Sequence, residues 1–227
     1  MKLFILQILL LFHHTLCKNE VVDYRVGLLI DGSKLCSGSL INENYILTAG
    51  RCVHRAFEVN VVIGTKNLLV QAKSSYISTT FIIHENNTEN LVHKDIALIK
   101  IPTLNNNYSI NFPQLLEDEI VDGVTLNLSG YNLENSDCLA TWGEQQVKVK
   151  INSGKCQNVV PCDTDKKFFF CATPNENTLS GFRNDGSALV DENDNLVGVA
   201  LYNTEENATC AVKVSYFLPW IQSKMYN

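Results

Sequence analysis

The strongest constraint on the fold is rhythmic. Short apolar runs recur along most of the chain: YRVGLLI, YILTA, FEVNVVIG, NLLVQAK, STTFIIH, DIALIKI, VTLNLSG, EQQVKVKI, KKFFFCA, SALVD and NLVGVALY. Each is bounded by Asn, Asp, Gly or Ser clusters, which turn the backbone. Many short strands at this spacing predict an all-β antiparallel sandwich or barrel. No solenoid-period repeat and no Pro-, Gly- or Ser-rich linker divides the 227 residues, a length that suits one or two packed β halves. One segment departs from the rhythm. In YFLPWIQSKMYN, the text after Pro219 has helical character and predicts a short C-terminal helix. DENDNLVG, from Asp191 to Gly198, reads as a hairpin turn between two strands.

The N-terminus reads as an export signal. Lys2 precedes the apolar run LFILQILLLF, and small residues at Thr15 and Cys17 suit cleavage before Lys18. Residues 1–17 are then a leader and residues 18–227 one mature domain. The run is too short to span a bilayer, and no other apolar segment approaches that length, so no membrane partner is expected. Export to an oxidising compartment makes the cysteines candidates for bridges. Eight are present, at positions 17, 36, 52, 138, 156, 162, 171 and 210, and removing Cys17 leaves seven. Their spacings do not match zinc clusters. Sequons at Asn86, Asn107 and Asn207 lie in loop-like text and are expected glycan acceptors, whereas Asn127 lies in strand-like text. The formal charge of -6 includes no basic block, so nucleic acid has no electrostatic footprint here.

Within this frame YILTAGRC stands out: an apolar strand runs into a small-residue turn that presents Arg51 beside Cys52. Three stretches, CSGSLINENYILTAGRC, KDIALIKI and RNDGSALVDENDNLVGVALY, together with Ser129-Gly130-Tyr131, resemble in order and spacing the chymotrypsin-like serine proteases. In that family the first stretch typically ends Leu-Thr-Ala-Ala-His-Cys, and the third carries Gly-Asp-Ser-Gly-Gly-Pro. The resemblance covers Asp23 to Met225. It implies two antiparallel six-stranded β-barrels, a short C-terminal helix and a site in the cleft between the barrels.

The resemblance also implies a serine nucleophile, a histidine base and an aspartate that orients the histidine. Aligned on this chain, those positions are Asp185, Arg51 and Asp95. Arginine stays protonated at physiological pH and cannot accept a proton. A carboxylate without a base is a poor acyl-transfer nucleophile and repels a developing oxyanion. The oxyanion-hole glycine corresponds to Arg183, and the substrate-pocket base to Leu179. Asn203 falls at a glycine position and is expected to narrow the pocket mouth. The family frees an Ile-Val-Gly-Gly terminus whose ammonium meets an aspartate. Here that aspartate is Asn184, and no Ile-Val-Gly-Gly is present. By the same alignment Cys36–Cys52 and Cys156–Cys171 are expected bridges, and Cys210 pairs with either Cys138 or Cys162.

Arg51 is expected to lie between Asp95 and Asp185 as one cation shared by two carboxylates. A rival arrangement joins Arg51 and Arg183 in an anion-binding point. A metal held by Asp95, Asp185 and His93 or His54 lacks compact ligand spacing and is opposed by Arg51, so no metal or cofactor is expected. His84 and His93 read as ordinary loop residues, and Phe168-Phe169-Phe170 as a half-buried strand. The resemblance as a whole implies a secreted, non-catalytic serine protease homologue, similar to inactivated paralogues of parasitic mites and other arthropods. Such a protein works as a monomer that binds a protease, an inhibitor or a cascade component. The alternatives are a hydrolase with unconventional chemistry and a structural or storage glycoprotein.

Overall fold

The computed structural model describes residues 21–64, 74–85, 94–104, 109–136, 139–156, 162, 165–174, 184–204 and 207–226; over 131–136 and 139–144 only the backbone is described. In chain order the strands begin with β1 (Val21–Val22), β2 (Arg25–Ile30), β3 (Lys34–Leu40) and β4 (Tyr45–Thr48). They continue with β5 (Val59–Ile63), β6 (Ser74–Ser78), β7 (Phe81–Ile83), β8 (Ala97–Lys100) and β9 (Ser109–Ile110). The second half supplies β10 (Thr125–Ser136), β11 (Leu139–Ile151), β12 (Phe169–Pro174), β13 (Ala188–Val190), β14 (Leu196–Asn203) and β15 (Thr209–Lys213). Among the described residues two α-helices, α1 (Gly50–Val53) and α2 (Val214–Met225), and a 3-10 turn at Ser153–Cys156 accompany them.

The second half is a closed antiparallel barrel in the order β10-β11-β12-β15-β14-β13. The first half is a seven-stranded sheet, β6-β5-β2-β3-β4-β8-β7. Its two outermost strands, β6 and β7, are joined in sequence by Thr79 and Thr80 alone. A sheet whose opposite ends are two residues apart must curl toward itself, so β6 and β7 act as one bent strand and the first half is barrel-like. Ser78 fixes the bend. Its hydroxyl donates to the Lys100 carbonyl at 2.6 Å and accepts from the Thr80 N–H at 3.2 Å.

Alternation decides which side chains fill the barrels. In β5, Val59, Val61 and Ile63 are buried while Asn60 and Val62 are half-buried, the period of two expected of a strand with one core face. In β12 the same alternation separates neighbours: Phe169 joins the cluster that runs from the first barrel into the inter-barrel contact, while Phe170 packs inside the second barrel with Leu126, Leu128 and Leu189. Fully burying a side chain of this size contributes about 1.5–3 kcal/mol. Strands not singled out from the sequence include the short β1 and β9, β6, and β3 and β15, the last two carrying small or polar residues. In β3, Ser37 and Ser39 are buried where the two barrels approach, and the Ser37 N–H donates to the Asp185 carbonyl at 2.8 Å. NLLVQAK lies outside the described residues.

The C-terminal helix begins at Val214, five residues before Pro219, and runs through the proline. Proline lacks an N–H and crowds the carbonyl four residues earlier, which normally ends a helix. Here Val214, Phe217 and Ile221 are buried along one face. The Trp220 indole N–H donates to Glu85 at 2.9 Å, and Lys224 pairs with the same carboxylate. Tertiary contacts on both sides of Pro219 therefore hold the helix together. The hairpin expected at Asp191 to Gly198 is present: Asp191 Oδ1 accepts from the Asn193 and Asn195 N–H groups at 2.9 Å each, between β13 and β14.

Among the described residues three disulfides join Cys36 to Cys52, Cys156 to Cys171 and Cys162 to Cys210. The last is one of the two pairings that the sequence left open for Cys210; Cys138 lies outside the described residues. The Cys162–Cys210 loop spans 48 residues and the Cys36–Cys52 loop 16. Chain-entropy arguments give about 4 kcal/mol for the longer loop and about 3 kcal/mol for the shorter. Replacing Cys162 and Cys210 together by serine is therefore expected to lower unfolding free energy more than replacing Cys36 and Cys52, as measured by urea denaturation of each double variant.

Candidate functional site

Asp95 is the best-buried charged group of the site, with no solvent exposure. It sits in the short loop that leads into β8. Burial pushes its carboxyl above the ordinary aspartate range, and the charge and hydrogen bonds of Arg51 oppose that shift. Arg51 lies in α1, directly after β4 delivers the chain to the cleft. Its backbone N–H donates to Asp95 Oδ1 at 2.7 Å, and its Nε–H donates to Oδ2. Both carboxylate oxygens are thus held by one residue. The guanidinium carbon lies 4.9 Å from the centroid of the Tyr202 ring, so the cation is stacked on an aromatic face from β14.

Asp185 sits in the turn before β13. Burial raises its carboxyl above the ordinary value, Arg51 and Lys34 pull it back, and Asp95 pushes it up again. Among the described residues no hydrogen bond or ion pair joins Arg51 to Asp185. The expected fork across two carboxylates is replaced by a fork into one, because the Nε edge is committed to Asp95 and the plane lies against Tyr202. Asp185 feels Arg51 through space only.

Lys34 is a participant that the sequence did not mark. It opens β3, and its ammonium donates to the Arg51 carbonyl at 2.6 Å. It thereby brings a second positive charge to both aspartates. No periodicity or motif flags a lysine two residues before a cysteine, and only the β2–β3 hairpin places it here. Asn184, 1% exposed, donates its amide to Asn203 Oδ1 at 2.8 Å and to Thr209 Oγ1 at 3.0 Å. The Asn203 carboxamide oxygen is therefore directed at the buried Asn184.

Gly186 fixes the turn. Its φ is +79°, and a Cβ there would lie 2.2 Å from the Ser37 carbonyl oxygen and 2.3 Å from Thr48 Oγ1. Only glycine combines that backbone conformation with so close an approach. Arg183 and Leu179 lie outside the described residues, as do His93, Asn86 and Asn107. His54 is half-buried at the end of α1. His84 packs instead on Phe217 and Trp220, with ring centroids 5.5 and 5.1 Å apart. Among the described residues no group of three or more His, Cys, Asp or Glu could hold a metal ion. Asn207 is half-buried in the tip between β14 and β15, with φ of 58°.

Two facing β-barrels, with a short helix packed beside them and acidic and basic side chains in the cleft, define the chymotrypsin-like fold class. The trypsin family model matches residues 13–221, and the chain belongs to that family. It is 28% identical to brachyurin of Leptuca pugilator over 88% of this chain and 92% of that one. It is 26% identical to granzyme B of Rattus norvegicus over 86% and 81%. Among solved structures, the scabies mite inactivated protease paralogue S-D1 superposes with a TM-score of 0.73 at 20% identity, covering 90% of this chain and 92% of that one. At that identity the likeness is one of fold.

The geometry leads to two expectations. Arg51→Ala leaves a fully buried carboxylate without its cation, and breaking such a pair costs about 3–5 kcal/mol. Arg51→Ala is expected to lose that much in urea denaturation, and Arg51→Ala/Asp95→Asn markedly less. Asp185 titrates in the opposite sense to a paired surface carboxylate. In the unfolded chain it ionises near 3.8, whereas in the fold it keeps its proton to higher pH. Its contribution to stability is therefore most favourable below pH 3.8 and declines as pH rises through the folded value. Asp185→Asn is expected to melt above the parent protein at neutral pH, with the gap closing toward pH 3, as followed by thermal melts across that range.

Proposed function

We propose that this chain is a non-catalytic member of its family. On this reading it works outside the cell by binding a protein, as a decoy, adaptor or regulator of a proteolytic cascade. One observation carries the reading: Arg51 holds both oxygens of Asp95. Aligned on the family's order, Arg51 takes the place of the general base, Asp95 that of the carboxylate that orients the base, and Asp185 that of the nucleophile. A guanidinium has no lone pair to take a proton, and its Nε–H is already spent on Asp95. Asp185 is an acceptor when ionised and offers no hydroxyl for acyl transfer. Two independent losses at one site are hard to reconcile with the inherited chemistry.

The scaffold tolerates such losses, since a scabies mite protein described as an inactivated protease paralogue has the same fold. Three disulfides and the leader-like N-terminal text support an oxidising, extracellular compartment. The acceptors at Asn86, Asn107 and Asn207 fit the same setting.

The test uses the purified mature protein with a serine-directed phosphonate probe and a broad peptide library. No labelling and no turnover are expected. Cleavage that disappears on changing Asp95 or Asp185 would show a hydrolase with unconventional chemistry and end the proposal. Saturable capture of a protease, an inhibitor or a cascade component from native tissue fluid is expected in turn. Its absence points to a structural or storage glycoprotein.

A further inference from the structure

The turn that presents Asp185 is tied to the rest of the fold by uncharged groups. The Asp185 carbonyl accepts from the Ser37 N–H of β3 at 2.8 Å, and the Gly186 N–H donates to the Ala200 carbonyl of β14 at 2.8 Å. The Ser187 N–H closes the turn onto the Asn184 carbonyl at 2.8 Å. Beneath the turn, the Asn184 amide nitrogen reaches Asn203 on β14 and Thr209 on β15. Thr209, with no solvent exposure, passes its own hydroxyl hydrogen to the Tyr202 carbonyl at 3.3 Å. Tyr202 is the residue on which Arg51 stacks. One neutral chain of hydrogen bonds thus runs from the Asp185 turn to the aromatic floor under Arg51.

We infer that Asn184 is the positioning residue of this site, and that the Asp185 turn is fully assembled in the intact chain without a newly freed chain terminus. An amide NH2 has two hydrogens, and here both are engaged by acceptors, Asn203 Oδ1 and Thr209 Oγ1. A buried ammonium brought to Asn184 would meet no anion on that side chain, and an uncompensated charge in a low-dielectric interior is disfavoured. Val21 and Val22 pair in parallel with Ser109 and Ile110 of β9. A surface held in this way is constitutive, available from the moment the second barrel closes, and is not gated by cleavage. The inference rests on the proposed binding role only in taking this turn as functional surface. The bonding is the same whether or not the chain turns over a peptide.

Hydrogen exchange at the Gly186 and Ser187 amides tests it, with the full chain prepared in two forms. One carries the free α-amine left by secretion, and the other a short extension that displaces that amine. Exchange rates within about twofold of each other are expected. Protection about tenfold greater in the free-amine form alone overturns the inference. Asn184→Ala is expected to speed exchange at both amides by about tenfold while the Leu28 amide in the first barrel is unchanged. Asn203→Ala removes one acceptor with less disruption, and is expected to act in the same direction should Asn184→Ala fail to fold. Unchanged exchange in Asn203→Ala and in a folded Asn184→Ala also overturns it. Asn184→Asp adds a reading that general loosening would not move. Its excess exchange over the parent at equal pH is expected to shrink as acid protonates the new carboxyl. An excess independent of pH counts against Asn184 as the positioning group. Catalysis found in the phosphonate experiment would leave all of these outcomes intact, so the two ideas fail separately.

Discussion

A carboxyl with no access to water must be matched locally, keep its proton, or destabilise its surroundings. Asp95 is that group, and Arg51 matches it with both a backbone and a side-chain donor. Much of the cleft follows from this pairing. It fixes the start of α1 against the loop before β8, turns the flat guanidinium onto Tyr202, and leaves Asp185 beside a cation that it does not touch. Lys34 reinforces the arrangement by holding the Arg51 carbonyl from the other side. The cluster is compact because one residue does the matching. A lysine, with a single point charge, could not fill both the carboxylate and the aromatic contact in this way.

Most of the architecture was legible in the sequence, because strands that face a core on one side declare themselves by alternation and by the turns that end them. β5 is the clear case. β3 was not legible as a strand, since its buried residues include serines chosen for the close approach of two barrels and not for apolarity. The helix boundary was also misplaced. The sequence rule for proline describes an isolated helix, whereas Phe217 and Ile221 bury on one face and Glu85 holds Trp220 and Lys224. The bend between β6 and β7 belongs to closure, a property of the whole sheet that no local window contains.

At the site, the sequence grouped three residues that the fold also groups, with a different connection among them. Arg51, Asp95 and Asp185 do come together, yet the shared cation became a private one. Ring stacking on Tyr202 and the reach of Lys34 depend on distances between β3, α1 and β14, which are far apart in the chain. Asn184 was marked by the sequence only through the resemblance; that its amide makes two neutral bonds required Asn203 and Thr209 to be seen beside it.

The bend at Ser78 has a consequence beyond the shape of the first barrel. An open sheet ends in two rows of unpaired backbone groups, and any extended segment of another molecule can add to them. By bending one strand across both ends, this half of the protein brings its two sheet edges together at Ser78 and leaves less straight edge for such an addition. Recognition on its surface then falls more to side chains, which differ between related proteins, than to backbone, which does not.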